Sequence, residues 1–426
     1  MSRFYSPLLG KITRKAAELR GGGSALPGLI MEKIDPTFIR TTLAQLPQGV
    51  VLVSGTNGKT TTTKMVVELL EGQGLKVFTN KTGSNFARGV AASLINEVDL
   101  KGKINADIAV LELDEAHAVH FVKDVPPRYA LLLNVMRDQL DRFGEIDNTA
   151  RMLQAIAEAT TDTVVLNRED KRVANIATQV QKAEVKYFGL SDEVRTLFPS
   201  DDDLHSKEKS SITSDSLPRA EVTLEKFDDN SATFNIEDEN ITTDLQLRGV
   251  YNIFNAAAAL AISRIAAGNK HDEKRLIKAL SEVKPAFGRG EKLNVDGDDL
   301  ELILVKNPGG FRLGLSSFKP EGHKTMITIN DQYADGRDMS WLWDVDFTSL
   351  KETGVEIVSG VRAYDMALRL EHDQVAVTEI DSDLTAALKK FLQATKGHDK
   401  HLFCTYTAML AIRKELAKIT KVEAVE

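Results

Sequence analysis

Apolar runs recur along the first half of the chain at 50–54, 76–79, 107–113, 129–135, 163–166 and 185–188, and stretches of helical spacing separate them. The runs alternate too little to have one wet face, so they predict the strands of a buried parallel sheet flanked by helices. Between 190 and 219 apolar residues thin out and Ser, Asp and Lys crowd together, the composition of a surface insertion. The pattern then changes: 220–225, 231–236 and 241–247 alternate apolar with polar residues around Asp228-Asp229-Asn230 and Glu237-Asp238-Glu239-Asn240, which reads as antiparallel hairpins. Helical spacing returns at 251–267 and 273–283. Pro285 and the glycines at 288 and 290 mark a boundary, beyond which a second α/β pattern starts, with strands near 300–305, 324–329, 355–358 and 400–404 and helices at 361–370, 382–394 and 405–418. Ahead of the first strand, a mostly helical stretch is broken by Gly21-Gly22-Gly23-Ser24 and Pro27. The expected division is a helical leader at 1–46, a central domain at 47–285 with an insertion at about 190–247, and a C-terminal domain at 286–426.

Composition narrows the class. A chain of 426 residues, 42% hydrophobic and 27% charged, has ample core for a soluble globular protein of two or three domains. Its net charge of −8 carries no footprint for nucleic acid. No apolar run approaches the ~18 residues of a membrane span. The N-terminus carries Lys11, Arg14, Lys15 and Arg20 without a secretory apolar core, so cytoplasmic residence is expected. The single cysteine, Cys404, excludes an internal disulfide and a multi-thiolate zinc site. Its place in Leu402-Phe403-Cys404 reads as a buried strand end rather than a nucleophile.

The chemistry gathers where apolar runs end. Gly55-Thr56-Asn57-Gly58-Lys59-Thr60-Thr61 follows a strand and opens a helix, the arrangement that delivers nucleotide phosphates to a helix N-terminus. It reads as a shortened P-loop, since strict spacing would place glycine where Val53 stands. Backbone N–H groups around Asn57 and Gly58 are expected to face the phosphates, with Lys59 on the β/γ oxygens and the Thr60 hydroxyl on Mg²⁺. Glu112 and Asp114 end the next strand but one, and a carboxylate there suits the same Mg²⁺. Lys59 and Glu112 are both expected to face the crevice rather than the core. The stretch Asn134 to Glu145 packs polar groups into one turn, and Asn167 with Asp170 repeats this more weakly, reading equally as a turn and a helix cap. Asn252 and Asn255 share one face of a first helical turn, where amides can recognise an adenine edge, although Asn252 also suits capping. Arg289, between Gly288 and Gly290, puts a guanidinium on a hinge suited to a γ-phosphate. Asp335, Asp338 and Asp344 follow the strand at 324–329, around Trp341 and Trp343. Asp338 is the favoured functional carboxylate because Arg337 can pair with Asp335.

These motifs resemble the Mur ligase superfamily, which includes the muropeptide ligases and folylpolyglutamate synthase, over roughly residues 46–420. The likeness rests on the P-loop, on Glu112, on Gly249-x-x-Asn252-x-x-Asn255 and on Gly288-Arg289-Gly290-Glu291. Asp138-Gln139 stands where most members have Asp-His, and Lys306-Asn307-Pro308 where muropeptide ligases have His-Asn-Pro. With Arg137-Asp138-Gln139-Leu140-Asp141-Arg142 and Asp335-Gly336-Arg337-Asp338, these departures make the chain similar to the MurT family, the synthetase subunits of lipid II isoglutaminyl synthase. The resemblance implies a Mur-ligase-type central P-loop ATPase domain followed by a smaller Rossmann-like α/β domain. It implies ATP and Mg²⁺ as cofactors, with Thr60 and Glu112 on the metal and Lys59 and Arg289 clamping phosphates. It also implies a heterodimer with a GatD-type glutaminase, lipid II as substrate at the inner face of the membrane, and Asp338 at the meeting of the two subunits. Many MurT proteins carry a four-cysteine zinc ribbon; the stretch 190–219 has no cysteine, so no structural zinc is expected. The competing readings are a ligase that adds a whole amino acid, and an ATP-dependent switch with no chemistry.

Overall fold

The structure, a computed structural model, describes residues 10–11, 25–80, 85–136, 146–195, 197–198, 217–228, 230–247, 249–269, 271–284, 289–318 and 320–422. Two short helices, α1 (Ala25–Ile34) and α2 (Phe38–Leu43), lead into β1 (Val50–Ser54). Strands and helices then alternate through α3 (Lys59–Gly72), β2 (Val77–Thr79), α4 (Ala87–Glu97), β3 (Ile108–Glu112), α5 (Glu115–Asp124), β4 (Tyr129–Leu132), α6 (Ile146–Ala159), β5 (Thr163–Asn167), α7 (Lys171–Asn175), β6 (Glu184–Leu190) and α8 (Asp192–Arg195). Next come β7 (Val222–Phe227), β8 (Ser231–Ile236), β9 (Glu239–Asp244), α9 (Val250–Ala267) and α10 (Glu273–Glu282). All nine strands form one sheet in the order β2-β3-β1-β4-β5-β6-β7-β8-β9, parallel as far as β7 and antiparallel beyond it.

The period-2 geometry of a strand sends neighbouring side chains to opposite faces, and both faces of this sheet are covered. Val51 and Val53 of β1 join a core with Met65 and Leu69 of α3 and the alanines of α9, while Val50 and Leu52 join another with Val90 and Leu94 of α4. Small residues at 256–259 leave α9 without bulk, which suits its close packing on α3 and the sheet. This helix has the length and hydropathy of a membrane span, which the sequence reading did not find, yet 72% of it is buried inside the protein and it serves as the core helix. The hairpins predicted at 220–247 are present, but they are not an appendage. β7 pairs in parallel with β6, so they extend the main sheet, and the buried Arg264 of α9 ties their turn down through Glu237 at 2.6 Å and through Glu273 of α10 at 2.9 Å.

A second sheet of six strands, in the order β10-β11-β15-β12-β13-β14, is built from β10 (Arg289–Val295), β11 (Asp298–Leu304), β12 (His323–Thr328), β13 (Val355–Ser359), β14 (Val377–Asp381) and β15 (Asp399–Cys404). Only the β10–β11 pair is antiparallel. The helices α11 (Pro308–Ser317), α12 (Ala363–His372), α13 (Leu384–Ala394) and α14 (Tyr406–Leu416) cover it. Two of these strands, β10 and β14, and the helix α11 lie where the sequence pattern predicted none.

His401 of β15 is buried in this sheet, stacked on His323 at 3.9 Å between ring centroids, with Nε2 3.2 Å from Glu301. Burial pushes its pKa below the ordinary histidine value, against the upward pull of Glu301 and Asp399, and the neighbouring His323 adds to the depression. The unfolded chain therefore takes a proton near pH 6.5 that the folded chain refuses, so stability present above that pH is lost as pH falls through it. Thermal melts between pH 7.5 and 5.5 should decline less steeply for His401→Gln, which keeps a donor for Glu301, than for the wild type. Equal slopes would remove His401 as the cause.

Candidate active site

In an open parallel sheet, ligand chemistry belongs at the C-terminal ends of the strands. β1 sits between β3 and β4, and those two strands supply most of what surrounds the loop that follows it. Gly55 has φ +137° and a Cβ there would lie 3.0 Å from the backbone N of Asn134 just beyond β4, so only glycine fits. Asn134 brackets the loop: its O accepts from Thr56 N at 3.0 Å, its Oδ1 from Asn57 N at 2.9 Å, and its Nδ2 donates to Asn57 O at 3.0 Å. The Thr56 hydroxyl accepts from Met136 N at 3.1 Å. The Asn57 N–H is thus committed to Asn134, which corrects the expectation that it faces the phosphates.

Glu112 has the strand parity of Ile108 and Val110, so it points toward α3, where its Oε1 accepts from the Thr60 hydroxyl at 2.9 Å. Asn80, just after β2, fixes the Glu112 backbone by two hydrogen bonds, Nδ2 to Glu112 O at 2.9 Å and Glu112 N to Oδ1 at 3.0 Å. Lys59 folds back onto its own loop, with Nζ 2.6 Å from Gly55 O and 3.3 Å from Oε2 of Glu115, the first residue of α5. Lys59, Glu112 and Glu115 are 7%, 8% and 3% exposed, so the groups expected to face the crevice are shielded by one another and by the loop. Neither Asn80 nor Glu115 was picked out in the sequence, although Glu112, Asp114 and Glu115 give three acidic residues in four.

The N-terminus of α9 closes the other side. Gly58, at φ +88°, has Asn255 Nδ2 2.7 Å from where its Cβ would be, so the loop passes directly under this amide. Asn252 lies one turn earlier and donates its backbone N–H to Gly249 O, part of the helix start. A cleft lined by Asn134, Asn167, Asp170, Phe188, Tyr251 and Asn255 opens beside the loop. Asp170 resolves to the cap reading: it accepts from Arg172 N and Val173 N at the start of α7 and from Val135 N. Burial pushes its pKa up to about 6 despite those bonds.

The second sheet contributes Lys306 and Asn307, which bond to the loop at Thr56 and Asn57. Thr60 and Glu112 form a hard oxygen donor pair at the loop's edge, which fits Mg²⁺ completed by phosphate oxygens. Among the described residues, no three His, Cys, Asp or Glu side chains converge as a preformed metal site. Thr61, the next residue of α3, is buried, hydroxyl included.

Other predicted positions fall elsewhere. The backbone of Arg289 begins β10, opposite Ile303, so the expected hinge is strand at that residue; its side chain and the turn at 137–145 lie outside the described residues, as do 199–216. Asp335 is not a candidate for facing a partner: it is 1% exposed and accepts from Gln332 N, Thr407 N and Thr407 Oγ1. Asp344 is exposed. Asp338, in the loop after β12, accepts from Ser340 N at 2.9 Å, and the Ser340 side chain and backbone hold its carboxyl below the usual range. Cys404 is fully buried at the end of β15, and burial raises its thiol pKa far above the ordinary value.

Comparison with known proteins places these features in one family. Residues 53–263 match the Mur ligase middle domain and residues 304–409 the MurT ligase C-terminal domain. In the solved structures, MurF ligase of Thermotoga maritima in complex with ADP superposes with a TM-score of 0.67 at 21% identity, covering 89% of this chain and 81% of that one. FolC of E. coli, in complex with DHPP and ADP, gives 0.60 at 16% over 90% and 92%. Both likenesses are of fold. The subunit MurT of lipid II isoglutaminyl synthase (glutamine-hydrolyzing) from Streptococcus pneumoniae is 29% identical over 96% of each chain. With its counterpart from Staphylococcus aureus strain COL 31% identical over 90% of this chain and 91% of that one, the chain belongs to the MurT family of Mur ligases.

Proposed function

We propose that this chain is the ATP-dependent, carboxyl-activating subunit of a glutamine-hydrolysing amidotransferase acting on lipid II. Its substrate carboxylate is the α-carboxylate of D-glutamate in the stem peptide, converted to D-isoglutamine. An oxygen of that carboxylate attacks the γ-phosphorus of ATP, the bond to the β-bridging oxygen breaks, and ADP leaves. Ammonia then adds to the acyl carbon of the acyl phosphate, the carbon–oxygen bond to phosphate breaks, and the proton lost from nitrogen leaves on the phosphate. The observation that carries this reading is one strand edge holding Lys59, Thr60 and Glu112, in a chain whose second half matches the MurT C-terminal domain.

Catalysis of this kind is positioning and charge neutralisation. Bound between Thr60, Glu112 and the nucleotide, Mg²⁺ would supply charge neutralisation across the β- and γ-phosphates. Lys59 faces the phosphates by exchanging its contacts with Gly55 O and Glu115 for phosphate oxygens. Asn255 lies over Gly58, where an amide can meet the base or ribose side of the nucleotide, with Asn252 one turn away. Arg289 is proposed as the interdomain clamp. Ammonia comes from a GatD-type glutaminase subunit, because Cys404 is sealed in the core. The loops after β12 and β13 would suit such a partner: Tyr333, Val361, Tyr364 and Leu368 are exposed, Trp343 is half-exposed against His372, and Arg362 ties the two loops together through Asp331 at 2.7 Å. We place the central domain at 47–285, the C-terminal domain at 286–426, and the work of the complex at the inner face of the membrane.

Lys59→Met should lower kcat by about 10²-fold or more. It should also cost stability, on the order of 3–5 kcal/mol, because Glu115 is left buried without its cation. Lys59→Met combined with Glu115→Gln should regain stability and not activity; Glu112→Ala should lose activity comparably. ADP release dependent on acceptor, measured for each, checks this, and wild-type turnover in any of them contradicts it.

Asp338→Asn tests the partner side in the assembled complex. Glutamine-driven amidation should be abolished, with ATP binding and complex formation intact, and ammonium salt should restore it. Full activity with glutamine would dispose of the role for Asp338.

A further inference from the structure

Two ammonium groups from different halves of the chain reach one backbone carbonyl. Lys59 Nζ lies 3.4 Å from Thr56 O, and Lys306 Nζ, between β11 and α11, lies 3.3 Å from the same oxygen. The placement of Lys306 is built rather than incidental. The next residue, Asn307, has no exposed surface; its Oδ1 accepts from Gly310 N at 2.6 Å, capping α11, and its Nδ2 donates to Asn57 Oδ1 at 3.2 Å. Gly309 packs so closely on Met136 that a Cβ would come within 3.0 Å of the Met136 methyl. At the far end of α11, the Ser317 hydroxyl accepts from Val250 N, the first residue of α9, at 3.1 Å. The helix that follows Lys306 is thus fastened at both ends to the half of the chain that carries the P-loop. That leaves little freedom in where its ammonium goes.

We propose that Lys306 is a catalytic residue of the phosphoryl transfer, a second cation that the C-terminal half supplies to the outermost phosphate of the nucleotide beside Lys59. The proposal rests on the reading of this loop as an ATP site. Thr56 lies on the strand side of Asn57 and Gly58, away from the α3 amides that take up the inner phosphates at a helix N-terminus. A cation at that end of the loop therefore meets the terminal phosphate, where charge spreads over the equatorial oxygens as it passes to the acceptor carboxylate. A cation stabilises the transition state without reorganisation cost when it is positioned beforehand, and the Asn307 clasp does this for Lys306, while Lys59 turns from Gly55 O and Glu115 onto the same phosphate. The site is then incomplete without the second half of the chain.

The test is titration of the full chain with ADP and with a non-hydrolysable ATP analogue, for wild type, Lys306→Met and Lys306→Arg. Methionine keeps the stem and removes the charge of a half-buried side chain, so the fold should hold. Lys306→Met should lose about tenfold or more in affinity for the analogue while ADP affinity changes far less, and acceptor-dependent ADP release should fall with it. Lys306→Arg should recover part of both. Equal weakening toward both nucleotides would make Lys306 a structural wall and overturn the proposal, as would unchanged discrimination. Wild type binding neither nucleotide would instead sink the ATP reading itself, so the two failures are distinct.

Discussion

A charged ammonium has to be kept out of water at the turn from β1 into α3, and much of the surrounding structure answers that requirement. Lys59 is 7% exposed, and an unpaired charge at that depth would cost several kcal/mol. Its partners come from the loop itself, through Gly55 O, and from Glu115 at the start of α5. Gly55 adopts the left-handed φ and the close approach to Asn134 that no side chain would tolerate. The strand order β3-β1-β4 brings those partners to one edge, since Glu112 ends β3, Glu115 follows it, and Asn134 follows β4. A sheet with other neighbours for β1 would leave the lysine stranded.

The same edge is where the second half of the chain docks. Asn307 and Asn57 exchange amide contacts, Lys306 reaches Thr56, and Ser317 holds the first residue of α9. An enzyme that must exclude water from an acyl phosphate gains from assembling its site at such a junction, because closure and chemistry then depend on the same contacts. The exposed apolar residues Tyr333, Trp343, Val361, Tyr364 and Leu368 lie in the loops after β12 and β13 and on α12.

How legible this was varied with how local the cause was. Runs such as Val50-Val51-Leu52-Val53 spelled out the buried parallel strands, and the Gly58-Lys59-Thr60 turn spelled out the loop, because each depends on neighbours in sequence. The edge strand β14 was missed because Val377-Thr378-Glu379-Ile380-Asp381 is only partly buried, with Lys390 bridging Glu379 and Asp381. β10 was missed because Gly290 and three charged residues, Arg289, Glu291 and Lys292, disguise a strand whose pairing with β11 is interrupted by an irregularity. No helix was expected at Pro308-Gly309-Gly310, since two glycines after a proline are poor helix formers, although Asn307 caps one there. Asn80 and Glu115 gain their roles only when β2, β3 and β1 lie side by side, so nothing nearby in sequence marked them. Asp335, expected to pair with Arg337, is instead held by Thr407, 72 residues away.

The central claim is that the P-loop edge activates a carboxylate for amidation rather than for addition of an amino acid. Its most direct test is the mass of lipid II after incubation with the full chain, its co-purified glutaminase subunit, ATP, Mg²⁺ and glutamine. The account predicts a product lighter than the substrate by the difference between a hydroxyl and an amino group, formed only when ATP and a nitrogen source are both present. A product heavier by an amino-acid residue, or ATP binding with no change in lipid II under these conditions, would contradict it.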